Sequence, residues 1–193
     1  MPLFLSPQAM PTAFLAWYWL APAIQLGAWL VADLARQAFL GDLVAAIEID
    51  GRLFEVVTRI PASAGRTDAV LTFAVDPLIY SAGMPLFAGL TLASAGSMAA
   101  LLGRLAIGMA ALVPVQAFGV LMNLLKVVAF DLPAKGTVVL AWGAGSREAI
   151  ALGYQLGSLV LPGVAALVAW AVLNRQFVAE LTGTAELAPP PTG

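Results

Sequence analysis

The sequence predicts a membrane all-α fold with about four transmembrane helices and a small β-hairpin or meander outside the bilayer. Of its 193 residues, 61% are hydrophobic and 10% are charged, too few charges to cover a water-soluble domain of this size. Four stretches without charge approach or exceed the roughly 20 apolar residues that cross a bilayer's hydrocarbon core. Eleven of the charged residues fall between Asp33 and Asp76, which sets that segment apart. We expect a single membrane domain over residues 13–181.

The first predicted span covers residues 13–35. It follows an N-terminal tail, residues 1–12, that lacks the basic start of a signal peptide, so we expect the span to be retained. Trp17, Tyr18 and Trp19 lie near its beginning, and such amphipathic rings favour the membrane–water interface.

Residues 43–75 form the predicted β segment. Asp50-Gly51 joins two runs rich in β-branched residues, and this dipeptide favours the type I′ turn of a hairpin because both residues tolerate positive φ. A polar loop, Pro61 to Asp68, leads to a predicted third strand, Ala69 to Val75. Three short strands predict a small sheet on the membrane without a core of its own.

The second and third predicted spans are residues 77–95 and 105–126. Pro85 lies inside the second, and a proline in a helix interior leaves a carbonyl without its donor, so we expect a kink there. The third span ends on Lys126.

The fourth predicted span is residues 149–174. Gly153 and Gly157 are four residues apart, a small-residue spacing that lets two membrane helices approach closely. Residues 182–193 contain three consecutive prolines and are predicted to be a disordered tail.

Polar residues cluster at three of the predicted helix ends. If the N-terminus is cytoplasmic, the start of the second span, the end of the third and the start of the fourth meet at the outer leaflet, beneath the β segment. Positive-inside counting does not support this orientation by itself. The predicted outer-leaflet polar groove consists of Asp76, Tyr80, Ser81, Asn123, Lys126, Arg147, Glu148, Tyr154 and Gln155.

Simpler roles for these side chains stay open. Lys126, Arg147 and Glu148 can extend from helix ends to the lipid headgroups. Gln116 and Asn123, seven residues apart on one helix face, can join neighbouring helices by hydrogen bonds.

Composition excludes several kinds of chemistry. The chain has no histidine and no cysteine, so Ser-His-Asp triads, cysteine nucleophiles and thiolate or imidazole metal sites are excluded. We expect no cofactor. Nine basic residues against eleven acidic ones, without a basic run, give no footprint for nucleic acid. The lipid bilayer is the first expected partner.

Two motifs resemble those of the exosortase H-associated membrane protein family. They are Asp-Pro-Leu-Ile-Tyr-Ser, from Asp76 to Ser81, and Arg-Glu-Ala-Ile-Ala-Leu-Gly-Tyr-Gln, from Arg147 to Gln155. The resemblance covers roughly residues 13–177. It implies a multi-pass protein of the cytoplasmic (inner) membrane of a Gram-negative bacterium, with the β segment on the periplasmic side.

The order of elements also resembles the membrane core of exosortases and archaeosortases, transpeptidases that process C-terminal sorting signals with Cys, Arg and His. In that comparison Tyr80 stands where the family has its Cys, Lys126 where it has its Arg, and Gly153 or Tyr154 near its His. The resemblance implies a pseudoenzyme: a non-catalytic accessory protein in protein sorting, with a cognate exosortase or its sorting-signal substrate as partner.

Two other functions are considered. Ser81 and Lys126 could form the dyad of a membrane peptidase or transpeptidase, with a desolvated lysine as general base. Alternatively, helices broken at Pro85, Pro114 and Pro162, with buried amide side chains, could line the pathway of a small transporter or channel.

Overall fold

The computed structural model of the chain describes residues 9–63, 66–94, 96–132 and 142–183. The predicted disordered tail from residue 184, and residues 1–8 of the predicted N-terminal tail, lie outside these ranges. The helices are α1 (Ala9–Trp19), α2 (Ala21–Phe39), α3 (Gly83–Ala93), α4 (Met98–Lys126), α5 (Ala144–Gln155), α6 (Leu161–Leu173) and α7 (Arg175–Leu181). The strands are β1 (Val44–Asp50), β2 (Leu53–Ser63) and β3 (Arg66–Val75).

Within the described residues, two helices are long and apolar enough to cross a membrane. One is α4 with a π-helical continuation (Val127–Asp131), 34 residues in all. The other joins α5 to α6 through a second π-helical segment (Leu156–Val160) and has 30 residues. The pair α1 and α2 makes a third candidate span if the two are counted together. The structure therefore supports two or three candidate spans, where the sequence predicts about four.

The first predicted span is two helices that meet at 67°. Pro22 lies in the first turn of α2, and a proline cannot continue a preceding helix because it lacks an N–H and its ring clashes with the carbonyl four residues earlier. The bend therefore falls between Trp19 and Ala21.

The second predicted span is a shorter apolar helix, Pro77–Ala93. It begins as a 3-10 turn (Pro77–Ser81) and continues as α3. Pro85 lies in the first turn of α3, where a missing N–H leaves no carbonyl without a partner, so the position does not require the predicted kink.

The three strands form one antiparallel sheet in the order β1-β2-β3, as the sequence predicts. Asp50 pairs with Leu53 across the β1–β2 turn, and Gly51 has φ +60°, a left-handed conformation that favours glycine. Strand β2 ends at Ser63 and β3 begins at Arg66, so the connection between them is shorter than the predicted polar loop.

One face of the sheet packs against α2 and the C-terminal part of α4. We call this cluster the sheet core. Its buried residues are Ala32, Val44, Ile47, Phe54, Val56, Ile60, Val75, Tyr80, Ala117, Val120, Leu124, Val128 and Leu132. The sheet thus buries its apolar face against helices of the bundle, which supply the core that three strands alone could not form.

Side chains of α2 also bond to the backbone of β1. The Trp29 indole N–H donates to the Ile47 carbonyl at 2.6 Å. The Arg36 guanidinium donates to the carbonyls of Val44 and Ala45 at 3.2 and 2.9 Å and pairs with Asp33. These bonds fix β1 beside α2.

A second buried cluster, the helix core, lies between α3, α4 and α6. It consists of Met84, Phe87, Leu112 and Ala166. Glycines allow the close approach of these helices: Gly108 lies against the Phe87 ring and Gly83 against the Pro162 carbonyl. Gly157, predicted from its spacing to permit such contact, lies against Gly119, where an added Cβ would be 3.1 Å from the Gly119 Cα.

Candidate functional site

Tyr80 is the centre of the candidate site. It lies on the 3-10 turn before α3 and is 3% exposed. Its ring rests on Gly119 of α4, where an added Cβ would lie 2.5 Å from the ring. Its phenol group lies beside that of Tyr154 on α5. Tyr80 therefore joins the 3-10 turn to both long helices.

Lys126 lies beside the two tyrosines at the end of α4. Its ammonium group is 5.6 Å from the centre of the Tyr154 ring, within cation–π range. It also forms an ion pair with Asp131 at 2.8 Å. The fold therefore brings Tyr80, Lys126 and Tyr154 together. We call these three residues, with Asp131, the tyrosine site.

Asp131 was missed by sequence reasoning. It is five residues after Lys126, and α-helical spacing brings together residues three or four apart. Because Val127–Asp131 is π-helical, with bonds between residues five apart, the two side chains meet. The only available signal was an acidic residue just beyond the predicted end of the third span.

Ser81 and Asp76 have structural partners. The Ser81 hydroxyl accepts a hydrogen bond from the Trp17 indole N–H at 3.0 Å and donates to the Leu78 carbonyl at 3.1 Å. Asp76 accepts from the Leu78 N–H at 2.9 Å and so caps the 3-10 turn. Trp17, expected only as an interface anchor, thus contacts a predicted site residue.

The other predicted groove residues lie on the helices that carry Lys126 and Tyr154. Arg147, Glu148 and Gln155 are exposed on α5, and we call them the rim. The Arg147 guanidinium lies 5.0 Å from the centre of the Phe130 ring. Asn123 is half-buried one turn before Lys126. The rim is therefore open to a partner, whereas Tyr80 and Ser81 are not.

Gln116 supports the position of the 3-10 turn. It is fully buried, and its amide nitrogen donates to the Pro77 carbonyl at 3.0 Å. Its amide oxygen has no partner among the described residues. This bond agrees with the simpler expectation that Gln116 joins neighbouring helices.

The space beneath Tyr80 is filled. Between Tyr80, Met84 and Pro162 the gap is too small to admit a water molecule. In the part of the chain that the structure describes, no three His, Cys, Asp or Glu side chains are placed to hold a metal ion. The site thus offers phenol, ammonium and carboxylate groups for binding at its edge.

Comparison with known proteins gives one family. The model of the exosortase H-associated membrane protein family matches residues 3–177, which is most of the chain and includes every residue of the tyrosine site and the rim. No curated protein and no solved structure matches the chain.

Proposed function

The chain belongs to the exosortase H-associated membrane protein family, and we propose that it is a non-catalytic accessory protein of an exosortase-type protein-sorting system. The family name supports an exosortase as its partner. The lack of catalysis is our inference from the residues at the site. Two steps lead to it, one from Tyr80 and one from Ser81.

The observation that carries the proposal is the environment of Tyr80. In the resemblance to exosortases this position belongs to the nucleophilic cysteine, which needs access to its substrate. Here a phenol side chain occupies it, buried against Gly119 and beside Tyr154. A peptide carbonyl could not approach a group so enclosed, so we propose binding without peptide cleavage.

The Ser81–Lys126 dyad receives no support from the contacts. A general-base lysine must be neutral and must accept the serine proton. The Lys126 ammonium group instead pairs with Asp131 at 2.8 Å and is about one-third exposed. Ser81 is bonded to Trp17 and to the Leu78 carbonyl. We therefore propose that neither residue acts as a catalyst.

We propose a four-span topology in the bacterial inner membrane. The shorter helix Pro77–Ala93 would be the fourth crossing, in addition to the bent pair and the two long helices. With the sheet on the periplasmic side, the tyrosine site and the rim would face the compartment in which sorting signals are exposed. The shared location of sheet and site supports this: Tyr80 is part of the sheet core.

The rim is the proposed contact surface for the exosortase or its substrate. Arg147, Glu148 and Gln155 are exposed on the helix that carries Tyr154, and Arg147 lies against the Phe130 ring. Charged and amide side chains at such a surface give selectivity through hydrogen bonds and charge pairing. The partner would thus contact the rim and not Tyr80 itself.

Site-specific photo-crosslinking in native membranes tests this proposal. A photoreactive residue replaces Gln155 on the rim in one variant and Val168, an exposed apolar residue of α6, in a matched control. We expect Gln155 to crosslink to the cognate exosortase or to a sorting-signal protein, and Val168 not to do so. Mass spectrometry of the product distinguishes the two partners.

The possible results separate the parts of the proposal. If a tagged chain neither co-purifies nor crosslinks with any component of the sorting system, the accessory function is wrong. If it co-purifies and only Val168 crosslinks, the association holds and the rim is not the contact surface. Loss of sorting on replacing Ser81 by Ala, with Ser81→Cys active, would contradict the non-catalytic assignment.

A further inference from the structure

An exposed apolar patch lies where the tip of the β1–β2 hairpin meets the bend between α1 and α2. Its members from the bend are Tyr18, Trp19 and Leu20, which are 52%, 80% and 56% exposed. Its members from the hairpin are Ile49 and Leu53, 44% and 39% exposed, and the exposed Arg52. We call these six residues the tip patch. Large apolar groups exposed together mark a contact surface.

Specific contacts hold the hairpin tip against the bend. The Arg52 guanidinium stacks 3.9 Å from the centre of the Tyr18 ring. Gln25 is a buried residue of α2, and its amide nitrogen donates to the Arg52 carbonyl at 2.9 Å. The charged end of Arg52 is thus held among aromatic and apolar groups while it remains exposed. Such a combination suits the headgroup region of a bilayer.

The tip patch is continuous with the apolar surface of the helices beside it. Phe14 and Leu15 on α1 are 45% and 63% exposed, and Leu26 and Leu30 on α2 are 57% and 53% exposed. These side chains extend from both sides of the bend. Tyr18 and Trp19 therefore connect the exposed apolar surface of the helices to the hairpin.

The tip patch lies at the end of the bundle where the short helix Pro77–Ala93 begins. Trp17, next to the patch, bonds to Ser81, and Tyr80 lies against Gly119 of α4. The bend between α1 and α2 and the start of this short helix therefore lie on the same side of the molecule as the hairpin tip.

We propose that the tip patch binds the bilayer interface, with the hairpin tip at headgroup depth and Arg52 contacting the phosphate of anionic phospholipids. Trp19 and Leu53 enter the outer part of the acyl region. Asp50, the acidic residue of the turn, opposes this binding in part. Glu48 and Glu55, which pair directly across β1 and β2, keep the rest of the sheet away from the headgroups.

Consequently the sheet is anchored to the membrane at its tip, beside the end of the bundle that carries Tyr80.

The absence of cysteine from the chain allows a direct test. Leu53→Cys and Val70→Cys are each labelled with an environment-sensitive fluorophore in lipid nanodiscs of the full chain. Val70 is the matched control, since it is apolar, 43% exposed and paired with Pro61, away from the hairpin tip. Lipids with a nitroxide near the headgroup should quench the label at position 53 about twofold or more over position 70. Equal quenching at both positions would overturn the proposal.

A second measurement tests the phosphate contact. With the label at position 53, replacing neutral phosphatidylcholine by phosphatidylglycerol should increase quenching, and Arg52→Gln should abolish that increase. Asp50→Asn, which removes the opposing charge, should make the increase in quenching larger. If the response to phosphatidylglycerol is the same with and without Arg52, the headgroup contact is wrong. Circular dichroism of each variant confirms that the fold is retained.

Discussion

The sheet core and the helix core are built differently. The sheet core contains thirteen buried residues, with large apolar side chains from strands and helices interleaved. The helix core contains four, and its helices touch where glycines meet Phe87 and the Pro162 carbonyl. Removing apolar surface from water stabilises the first. In lipid that driving force is absent between helices, and close packing takes its place. The difference agrees with the proposed position of the sheet outside the bilayer.

The largest effect is expected from a cavity in the sheet core. Phe54 is fully buried, so Phe54→Ala should lower the free energy of unfolding by about 3 to 5 kcal/mol. Leu53→Ala, one residue earlier and 39% exposed, is the control and should change it by less than about 1 kcal/mol. Denaturation in detergent, followed by circular dichroism, measures both. Equal losses would mean that the sheet has no separate core.

The helix core should respond to added volume instead. In Gly83→Ala the new methyl group meets the Pro162 backbone, which cannot rotate away, and we expect a loss of about 1 to 3 kcal/mol. Gly163→Ala is the control, because no atom lies within 4 Å of its Cβ position. That change should be neutral or stabilising. A tolerated Gly83→Ala would show that close backbone approach is dispensable here.

The bond between α2 and β1 gives a smaller effect. Trp29→Phe removes the donor to the Ile47 carbonyl and should cost about 0.5 to 1.5 kcal/mol. Trp19→Phe, at a position 80% exposed, should leave the free energy of unfolding in detergent within about 0.5 kcal/mol. The same detergent denaturation compares them. If the two variants have the same free energy of unfolding, the Trp29 hydrogen bond does not help to attach the sheet.

The smallest effect on stability is expected at the tyrosine site. The Lys126 and Asp131 side chains are 33% and 38% exposed, and water screens such a pair. Asp131→Asn should therefore cost no more than about 1 kcal/mol. Co-purification with the exosortase should fall more than stability does, because Lys126 loses the group that positions it beside the rim. If co-purification is unchanged, the ion pair does not contribute to binding of the exosortase.

Local sequence patterns predicted the sheet well. Asp50-Gly51 between β-branched runs indicated the hairpin, and the structure has it there, with a third strand after it. The match to the family model confirms the resemblance noted at Asp76–Ser81 and Arg147–Gln155. These features depend on residues close together in the chain, which sequence reasoning can read.

Features that depend on backbone register were not predicted. The bend at Pro22 was visible as a proline, yet the absence of charge through the run favoured one helix. Asp131 was missed because its pairing needs a π-helical turn, for which no residue type is a reliable signal. The proximity of Tyr80, Lys126 and Tyr154 was predicted from an assumed topology. The contacts between them could only come from the folded chain.

The two π-helical segments have a consequence for insertions and deletions. Backbone hydrogen bonds in each span five residues instead of the four of an α-helix, whose residues advance by about 100°. With one residue fewer in Val127–Asp131, Asp131 would lie four residues after Lys126, the α-helical spacing at which the pair still meets. With one residue more, the two would be six apart, a spacing that places them on different sides of the helix. Leu156–Val160 sets the orientation of all that follows it in the same way. In both places the number of residues, more than their identity, holds the two long helices in phase.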